Sequence, residues 1–475
     1  MTQTPTAEPD AGRPASVLPP LLLLSAPIII SQCAQMASGV VDVIMAGNLD
    51  VLTLGTVATG AALWVPMMIF LLGLLYGVTP TIGKMLGENA PEAVSGVAAR
   101  GLLVGLLGGA LLGALLFWMS TPLFRLVGVA PELIPEASAY LNWMALAMPG
   151  MGLFLAFRFV IEAHHVGWIV TVVAVLGVAA KIWLNDALVH GHAGLPALGT
   201  GGFGAASVAL YWGMAVMLAG ATFLHGAVKP LWTHRLSGAD LSLAAIGRFL
   251  RFGLPIALNF LSDYLIMAVV AVFIATLGAV AIGAHQITFN ILMVLLMMPT
   301  GLSMAATILI SRSPGGGHAA TLGPVMSWTL GIGVAFSIAL AVLLAAFDAP
   351  VIRLYTDDAE VIALALDLLG VVVFILTIDV VAIALGFFLR GLGDPGSPFL
   401  ILLAAHWLIS LPVGYVLCFT DWVVAPQGPL GWWYGLSTGL LVACCLLGLR
   451  LRQRLSRAAQ PVCSPAEATV AGVAE

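Results

Sequence analysis

Residues 322–347 form the run LGPVMSWTLGIGVAFSIALAVLLAAF, which contains no charged side chain. A helix needs about 20 apolar residues to cross a lipid bilayer, so this run is long enough. The whole chain is 61% hydrophobic and only 8% charged, whereas soluble domains carry about 25% charged residues. This composition excludes both a water-soluble globular protein and a disordered one. Because the apolar runs are continuous rather than alternating, they predict membrane helices and not a β-barrel.

Eleven further apolar runs lie on either side of this one, separated by short polar breaks. Several contain a proline, which kinks a membrane helix whose neighbours satisfy the freed carbonyl. The sequence therefore predicts an all-α integral membrane protein with twelve transmembrane helices. The runs are 17–46, 52–79, 93–119, 137–157, 167–189, 203–226, 247–276, 281–310, 322–347, 360–389, 396–420 and 429–450.

The chain repeats itself about the longest polar break, 227–246. Residues 27–79 align with 255–307 without a gap at a shift of 228, which places Gly301 opposite Gly73. Six helices per half is an even number, so both halves insert the same way up. A pseudo-twofold axis along the membrane normal and a substrate path between the halves are expected. The predicted domains are an N-terminal segment 1–16, a first lobe 17–226, a linker 227–246, a second lobe 247–450 and a tail 451–475.

A second internal sequence match appears at a shift of 232 residues. It matches Arg158-x-x-x-Glu162 with Arg390-x-x-x-Asp394. Residues four apart share one helix face. We therefore interpret both as ion pairs that fix loops at the cytoplasmic side.

The distribution of basic residues predicts the orientation of the chain. Of the 17 Lys and Arg residues, fourteen fall on the side of the N-terminus, and the other three are Arg125, Lys181 and Arg353. Cytoplasmic loops carry the excess of Lys and Arg. We therefore predict a multi-pass protein of the cytoplasmic (inner) membrane with both termini and the linker in the cytoplasm. The acidic loop around Asp358 then faces outside.

Charge and cysteine usage exclude some partners. The net charge of −5 offers no basic surface for nucleic acid. None of the five cysteines forms a C-x-x-C pair, so we predict neither a disulfide framework nor a metal site.

Four short segments carry a resemblance to a known family. They are VVDVIMAG at 40–47, GLP at 253–255 followed by Asp263, GAHQI at 283–287, and TID at 377–379 followed by LRGLGD at 389–394. In order and spacing these segments resemble the MATE family of multidrug exporters, and within it the NorM-like branch, over about residues 20–455. The resemblance implies two six-helix bundles arranged as a V, and cation-coupled antiport of organic compounds.

Ionisable residues inside the bilayer are the informative ones, since a charge at its centre costs about 2.5–3.5 kcal/mol on insertion scales. Asp263 follows Arg251 by about 18 Å of helix, and Asp379 precedes Arg390 by about 16 Å. Both therefore lie near mid-depth, where two carboxylates can hold Na⁺ or share a proton. The resemblance implies cation coupling at both, although relatives carry Glu at position 263. It also implies a coupling or substrate role for Asp42, in the outer half of the first helix.

Further polar residues lie along the predicted spans. Lys181 and Asn185 share one face of the fifth helix, and the depth of Lys181 matches that of Asp42, which predicts an ion pair between them. Snorkelling of Lys181 to the outer headgroups is the alternative. Candidates for substrate contact or a polar network are Lys181, Asn185, Asn290, His285 and Gln286. A structural hydrogen-bonding role is the alternative for His285, and it is also the interpretation of His406 in the eleventh helix.

The predicted function is a secondary active multidrug exporter, an antiporter of small-molecule drugs or toxic organic cations. Its coupling ion would be H⁺ or Na⁺, with no other cofactor, and a monomer in the lipid bilayer is expected. The alternative is a flippase for lipid-linked precursors from the same superfamily, although such proteins need more intramembrane cations than Lys181. We predict no enzyme, because the sequence has no HExxH and no Cys/His constellation.

The predicted topology can be tested by cysteine labelling. In a variant without the native cysteines, Asp358→Cys should react with an impermeant maleimide added outside intact cells, because its loop faces outward. The matched position His234→Cys in the linker should react only after permeabilisation. The reverse labelling pattern would overturn the orientation.

Overall fold

The computed structural model describes residues 17–192, 194–232, 236–313 and 319–458. Within these ranges the secondary structure is helical, without a strand, and twelve helices are long and apolar enough to cross a membrane. The predicted all-α fold class is thus confirmed, while the predictions for 1–16, His234 and 459–475 fall outside the described residues. The spans are α1 Leu18–Leu49, α2 Val51–Gly87, α3 Pro91–Val127, α4 Leu133–Ala163, α5 Trp168–His190, α6 Gly201–Leu224, α7 Leu243–Ala275, α8 Ala279–Ser311, α9 Leu322–Ile352, α10 Ala359–Gly391, α11 Gly396–Phe419 and α12 Pro429–Arg457.

Four of these spans are interrupted, among them α9, in which Phe347 has a non-helical backbone with φ of −129° and ψ of 22°. The α2 span bends between its segments Val51–Tyr76 and Val78–Gly87. The α8 span bends between Ala279–Leu295 and Met297–Ser311. One π-helical stretch, Ala405–Ser410, lies in the middle of α11. A short 3₁₀ helix, Lys229–Trp232, is part of the linker between α6 and α7.

Glycines let α3 and α4 approach closely at the centre of the first half. A Cβ added to Gly105 would lie 2.5 Å from the carbonyl oxygen of Gly152, and one on Gly109 would lie 2.5 Å from that of Met148. Gly113 repeats this contact one turn further along. Since lipid chains are as apolar as leucine, close backbone packing of this kind stabilises pairs of membrane helices.

The two halves make the same contact twice. A Cβ on Gly73 of α2 would lie 2.6 Å from the Cα of Ala257 on α7. One on Gly301 of α8 would lie 3.2 Å from the Cα of Ile29 on α1. The shift of 228 residues relates Gly73 to Gly301 and Ile29 to Ala257. These are therefore two copies of one contact, and the repeat seen in the sequence is a true structural repeat.

A second pair of contacts extends this register into α4 and α10. The Thr79 hydroxyl donates to the Phe159 carbonyl at 3.2 Å, and the Thr307 hydroxyl donates to the Phe387 carbonyl at 2.9 Å. Both residues of the second pair are again 228 positions beyond those of the first. Tyr76 packs edge-on against Phe159 and Phe387, each at a ring-centroid distance of 5.5 Å.

This register corrects one of the sequence-based interpretations. The sequence match at a shift of 232 residues differs from the structural register of 228 by four residues, about one helical turn. Arg390 is therefore the counterpart of Glu162 and not of Arg158. In the first half the predicted ion pair is present, with Arg158 Nε 2.7 Å from Glu162 Oε1. Both side chains are buried rather than exposed in a loop. In the second half the predicted pair between Arg390 and Asp394 is wrong, because Arg390 turns inward.

Asp394 has other partners instead. Its carboxylate lies 2.8 Å from Arg450 Nη2 and 2.8 Å from Arg454 Nη2, both on the last turns of α12. Burial raises the pKa of Asp394, but hydrogen bonds from Arg454, Ser397 and Arg450 outweigh it, so this pKa lies below its usual value. The carboxylate is thus ionised at neutral pH and ties α12 to the break between α10 and α11.

The halves touch each other near the linker side of the membrane. There, a Cβ added to Gly77 would meet Phe252, and one added to Gly83 would meet Ser311. Gly83 and Ser311 are themselves 228 positions apart, so the pseudo-twofold axis passes between them. The linker side is therefore the end of the spans at which the two halves are packed together.

Filling the repeated glycine contact should weaken this packing. Alanine is better than glycine in a helix by about 1 kcal/mol, but overpacking against a backbone costs about 1–3 kcal/mol. We expect Gly73→Ala and Gly301→Ala to lower the midpoint of thermal unfolding in detergent. The control Gly331→Ala, whose Cβ would meet open space on α9, should leave the midpoint equal or higher. Equal midpoints for all three variants would contradict the importance of this contact.

Candidate functional site

A buried polar network joins three helices of the first half. The Asp42 carboxylate on α1 lies 3.2 Å from Lys181 Nζ on α5 and accepts a hydrogen bond of 2.7 Å from Asn185 Nδ2. The Lys181 ammonium also donates to the Ser207 hydroxyl and, at 3.2 Å, to the Phe203 carbonyl of α6. Lys181 is only 1% exposed. The contact predicted from matched depths is present, and Lys181 does not snorkel.

This network satisfies the lysine completely. An ammonium group has three N–H donors, and three oxygen acceptors surround the one on Lys181. Since two opposite charges out of water stabilise each other only with good geometry and further hydrogen bonds, the pair with Asp42 is a well-compensated one. The buried Asn185 Oδ1 accepts no hydrogen bond.

Asp263 of α7 is a partly exposed carboxylate in the second half. Asn259 Nδ2 donates to its Oδ2 at 3.0 Å, whereas its Oδ1 has no hydrogen-bond donor. The closest candidate, His406 Nε2 on α11, is 3.9 Å from Oδ1, which is too long for a hydrogen bond. The Asp263 side chain is 41% exposed.

Asp379 of α10 is the second carboxylate of this site. It is close enough to Asp263 for the two charges to interact. Among the described residues, no hydrogen bond ends on the Asp379 carboxylate. The sequence predicts mid-depth for both, and their charges lie close enough to interact; three of their four carboxylate oxygens accept no hydrogen bond from the described residues.

His406 belongs to this site although the sequence favoured a structural role. It lies on the π-helical stretch of α11, which is pinned to α7 by a hydrogen bond of 2.8 Å from Trp407 Nε1 to Ser262 Oγ. π-helical turns are rare and are frequent at functional sites. Its buried Nδ1 has no partner. A pattern based on 3.6 residues per turn cannot reveal this placement.

Arg390 closes the linker side of the same site. Its Nη2 donates to Asn259 Oδ1 at 2.5 Å, so Asn259 connects the guanidinium to the Asp263 carboxylate. The guanidinium lies over the rings of Phe260 and Phe387, at 4.9 and 4.6 Å from their centroids. Such cation–π contacts are strongest when desolvated, and Arg390 is 3% exposed. It forms a fixed positive charge between Asp263 and the linker side.

The remaining predicted residues lie elsewhere in the second half. His285 is buried against the rings of Phe289 and Trp433, at centroid distances of 6.1 and 5.6 Å. Asn290 is exposed and accepts a hydrogen bond of 3.0 Å from the Tyr355 hydroxyl. Gln286 is exposed. No contact among the described residues joins any of the three to Asp263 or Asp379, so their roles stay predictions.

A cavity of about 680 Å³ opens on the linker side between the halves. Its walls carry the basic side chains of Lys84, Arg100 and Arg248 together with Glu88, and Arg390 lies in its lining. The cavity and the Asp263 site therefore lie on opposite sides of Arg390.

Twelve spans in two repeated halves, with ionisable side chains along the spans, are typical of membrane transporters. The MatE family model matches residues 27–185 in the first half and 255–416 in the second. The chain therefore belongs to the MATE family.

Solved structures of MATE transporters have the same fold. The eukaryotic MATE transporter AtDTX14 superposes with a TM-score of 0.82 at 18% identity, covering 94% of this chain and 99% of that one. The Vibrio cholerae MATE transporter VcmN in its bent form gives 0.81 at 16% identity, covering 94% and 98%. A MATE transporter in the bent conformation gives 0.84 at 18% identity, covering 94% and 97%.

The buried pair should show non-additive mutational effects. Removing one partner of a buried ion pair costs about 3–5 kcal/mol, so Asp42→Asn and Lys181→Gln should each lower thermal stability and the amount of folded protein. The double variant should recover part of the loss, because neither charge is then left alone. Thermal unfolding of the three variants in detergent measures the coupling. Strictly additive losses would show that the two charges do not depend on each other.

Proposed function

We propose that this protein is a secondary active exporter that moves amphipathic, often cationic, compounds out of the cell in exchange for H⁺ or Na⁺. The observation that carries this proposal is the Asp263 carboxylate, which is 41% exposed and has one oxygen without a hydrogen-bond partner among the described residues. Its charge interacts with that of Asp379.

The second-half site is suited to a mobile cation. Two neighbouring carboxylates repel each other, and an unpaired charge in the bilayer is expensive. One proton or one Na⁺ removes that cost, and the free oxygens of Asp263 and Asp379 are suitable for either. In the first half Lys181 already compensates the charge of Asp42. Cation coupling in the proposed exporter therefore depends on Asp263 and Asp379.

Alternating access supplies the exchange. The halves are joined at Gly77 and Gly83 on the linker side, which the distribution of basic residues predicts to be cytoplasmic, and the cavity of about 680 Å³ opens at that same side. In an outward-open state a cation from outside would reach Asp263 and Asp379, while Arg390 would oppose its passage toward the cytoplasm. Cation and drug then couple because each favours a different state of the same equilibrium.

The same reasoning assigns the cellular context. We propose a monomer in the cytoplasmic membrane with both termini inside, needing no cofactor besides the coupling ion. A flippase for lipid-linked precursors would require free cations along the path for anionic headgroups. Lys181 is fully engaged with Asp42 and two other acceptors, so it does not favour that alternative.

Neutral substitutions test the coupling site. Asp263→Asn and Asp379→Asn should each abolish dye efflux driven by a Na⁺ or proton gradient, because the amide keeps the shape and loses the charge. The matched control Asp367→Asn, three turns from Asp379 on α10, should transport normally. The measurement is the fluorescence of a cationic acridine dye in inverted vesicles, with each gradient imposed separately.

The controls separate failure of coupling from failure of folding. All three variants should be present at equal levels and elute as single species in size-exclusion chromatography. Efflux at the wild-type rate in Asp263→Asn or Asp379→Asn would remove that residue from the site. Movement of a fluorescent lipid-linked anion, with no dye efflux, would favour the flippase.

A further inference from the structure

Three metal-ligating side chains converge at the outer end of α5. Asp186 and His190 lie on its last turns, and His192 follows in the loop toward α6. His190 Nδ1 is 3.2 Å from Asp186 Oδ1, and His192 Nδ1 is 3.0 Å from Asp186 Oδ2. The ligand atoms of all three lie within 4.8 Å of one another.

The backbone holds this arrangement in place. Gly191, with φ of 78°, ends α5 in the left-handed region that favours glycine. The amides of Gly191 and His192 both bond the Ala187 carbonyl at 3.0 Å. This turn brings His192 back over the helix, and the two imidazole rings stack at a centroid distance of 5.5 Å. The convergence on Asp186 is therefore a property of a tight, hydrogen-bonded turn.

The spacing of the ligand atoms matches that of a transition-metal site. Zinc binds His nitrogen and Asp oxygen at about 2.0–2.2 Å in a tetrahedron, which places neighbouring ligand atoms about 3.3 Å apart. The separations of 3.2 and 3.0 Å are close to this edge length, although they run to different oxygens of Asp186. With all three ligand atoms within 4.8 Å of one another, small side-chain rotations would let a cation replace the protons between imidazole and carboxylate.

We propose that Asp186, His190 and His192 form a surface binding site for a divalent transition metal, with Zn²⁺ as the ion that this ligand set suits. Two imidazoles and one carboxylate leave the fourth position open to water. All three side chains are exposed at the predicted outer face, so the site samples metal outside the cell. This departs from the expectation of no metal site, which rested on the cysteines alone.

The site has a direct connection to the buried network of the first half. Asp186 follows Asn185, whose amide holds the Asp42 carboxylate. Bound metal would cross-link the end of α5 to the loop and so restrict the helix that carries Lys181 and Asn185.

Metal titration of the full-length chain, purified without a histidine tag, tests the proposal. Co²⁺ alone is the probe, since its visible absorption reports coordination by nitrogen and oxygen, and Zn²⁺ is then added as competitor. We expect one saturable Co²⁺ per chain, displaced by Zn²⁺. His192→Gln and Asp186→Asn should each weaken binding by more than the roughly 10–100-fold that follows loss of a side chain that only orients a ligand.

The matched control is His225→Gln, a histidine at the end of α6 outside the cluster, which should bind Co²⁺ as the wild type does. Size-exclusion chromatography establishes that each variant is folded. The proposal is overturned by absence of saturable Co²⁺ binding in the wild type. Unchanged affinity in folded His192→Gln or Asp186→Asn would overturn it equally.

Discussion

A lipid bilayer cannot solvate a charge, and the arrangement of this protein's intramembrane polar groups follows from that constraint. Asp42 is compensated within the protein by Lys181 at 3.2 Å, with Asn185 as a further donor. Among the described residues, Asp263 has no cation at salt-bridge distance apart from the imidazole of His406, and none donates a hydrogen bond to its Oδ1. The two halves thus differ in how the charge of an intramembrane carboxylate is compensated.

The repeat makes this difference precise in structural terms. The packing contacts are duplicated, as Gly73 on Ala257 and Gly301 on Ile29 show. The charged residues are not duplicated. At the shift of 228, Asp263 is the counterpart of Gln35, and Val270 is the counterpart of Asp42. Duplication has therefore kept the surfaces by which helices pack and has allowed the polar centres to diverge, so that each half carries its own site.

Much of this architecture is predictable from the sequence because bilayer constraints act on local patterns. Twelve spans follow from continuous apolar runs, and the contact of Lys181 with Asp42 follows from matched depth. The pairing of Arg390 was predicted wrongly, since a match of one helical turn is as easy to find in sequence as the true register. Only the contacts of Thr79 and Thr307 resolve it. The place of His406 depends on a π-helical stretch, which no 3.6-residue pattern indicates.

The divergence of the halves has a consequence for coupling. Lys181 is covalently part of the protein, so the compensation of Asp42 does not depend on ion concentrations on either side of the membrane. Compensation of Asp263 and Asp379 by a mobile cation does depend on them, and only an interaction that differs between states can shift an equilibrium. Arg390, fixed between Phe260 and Phe387 on the linker side, adds a positive charge that a cation leaving toward that side must pass. In the proposed exporter, the first half therefore provides a constant scaffold, while the second half senses the gradient.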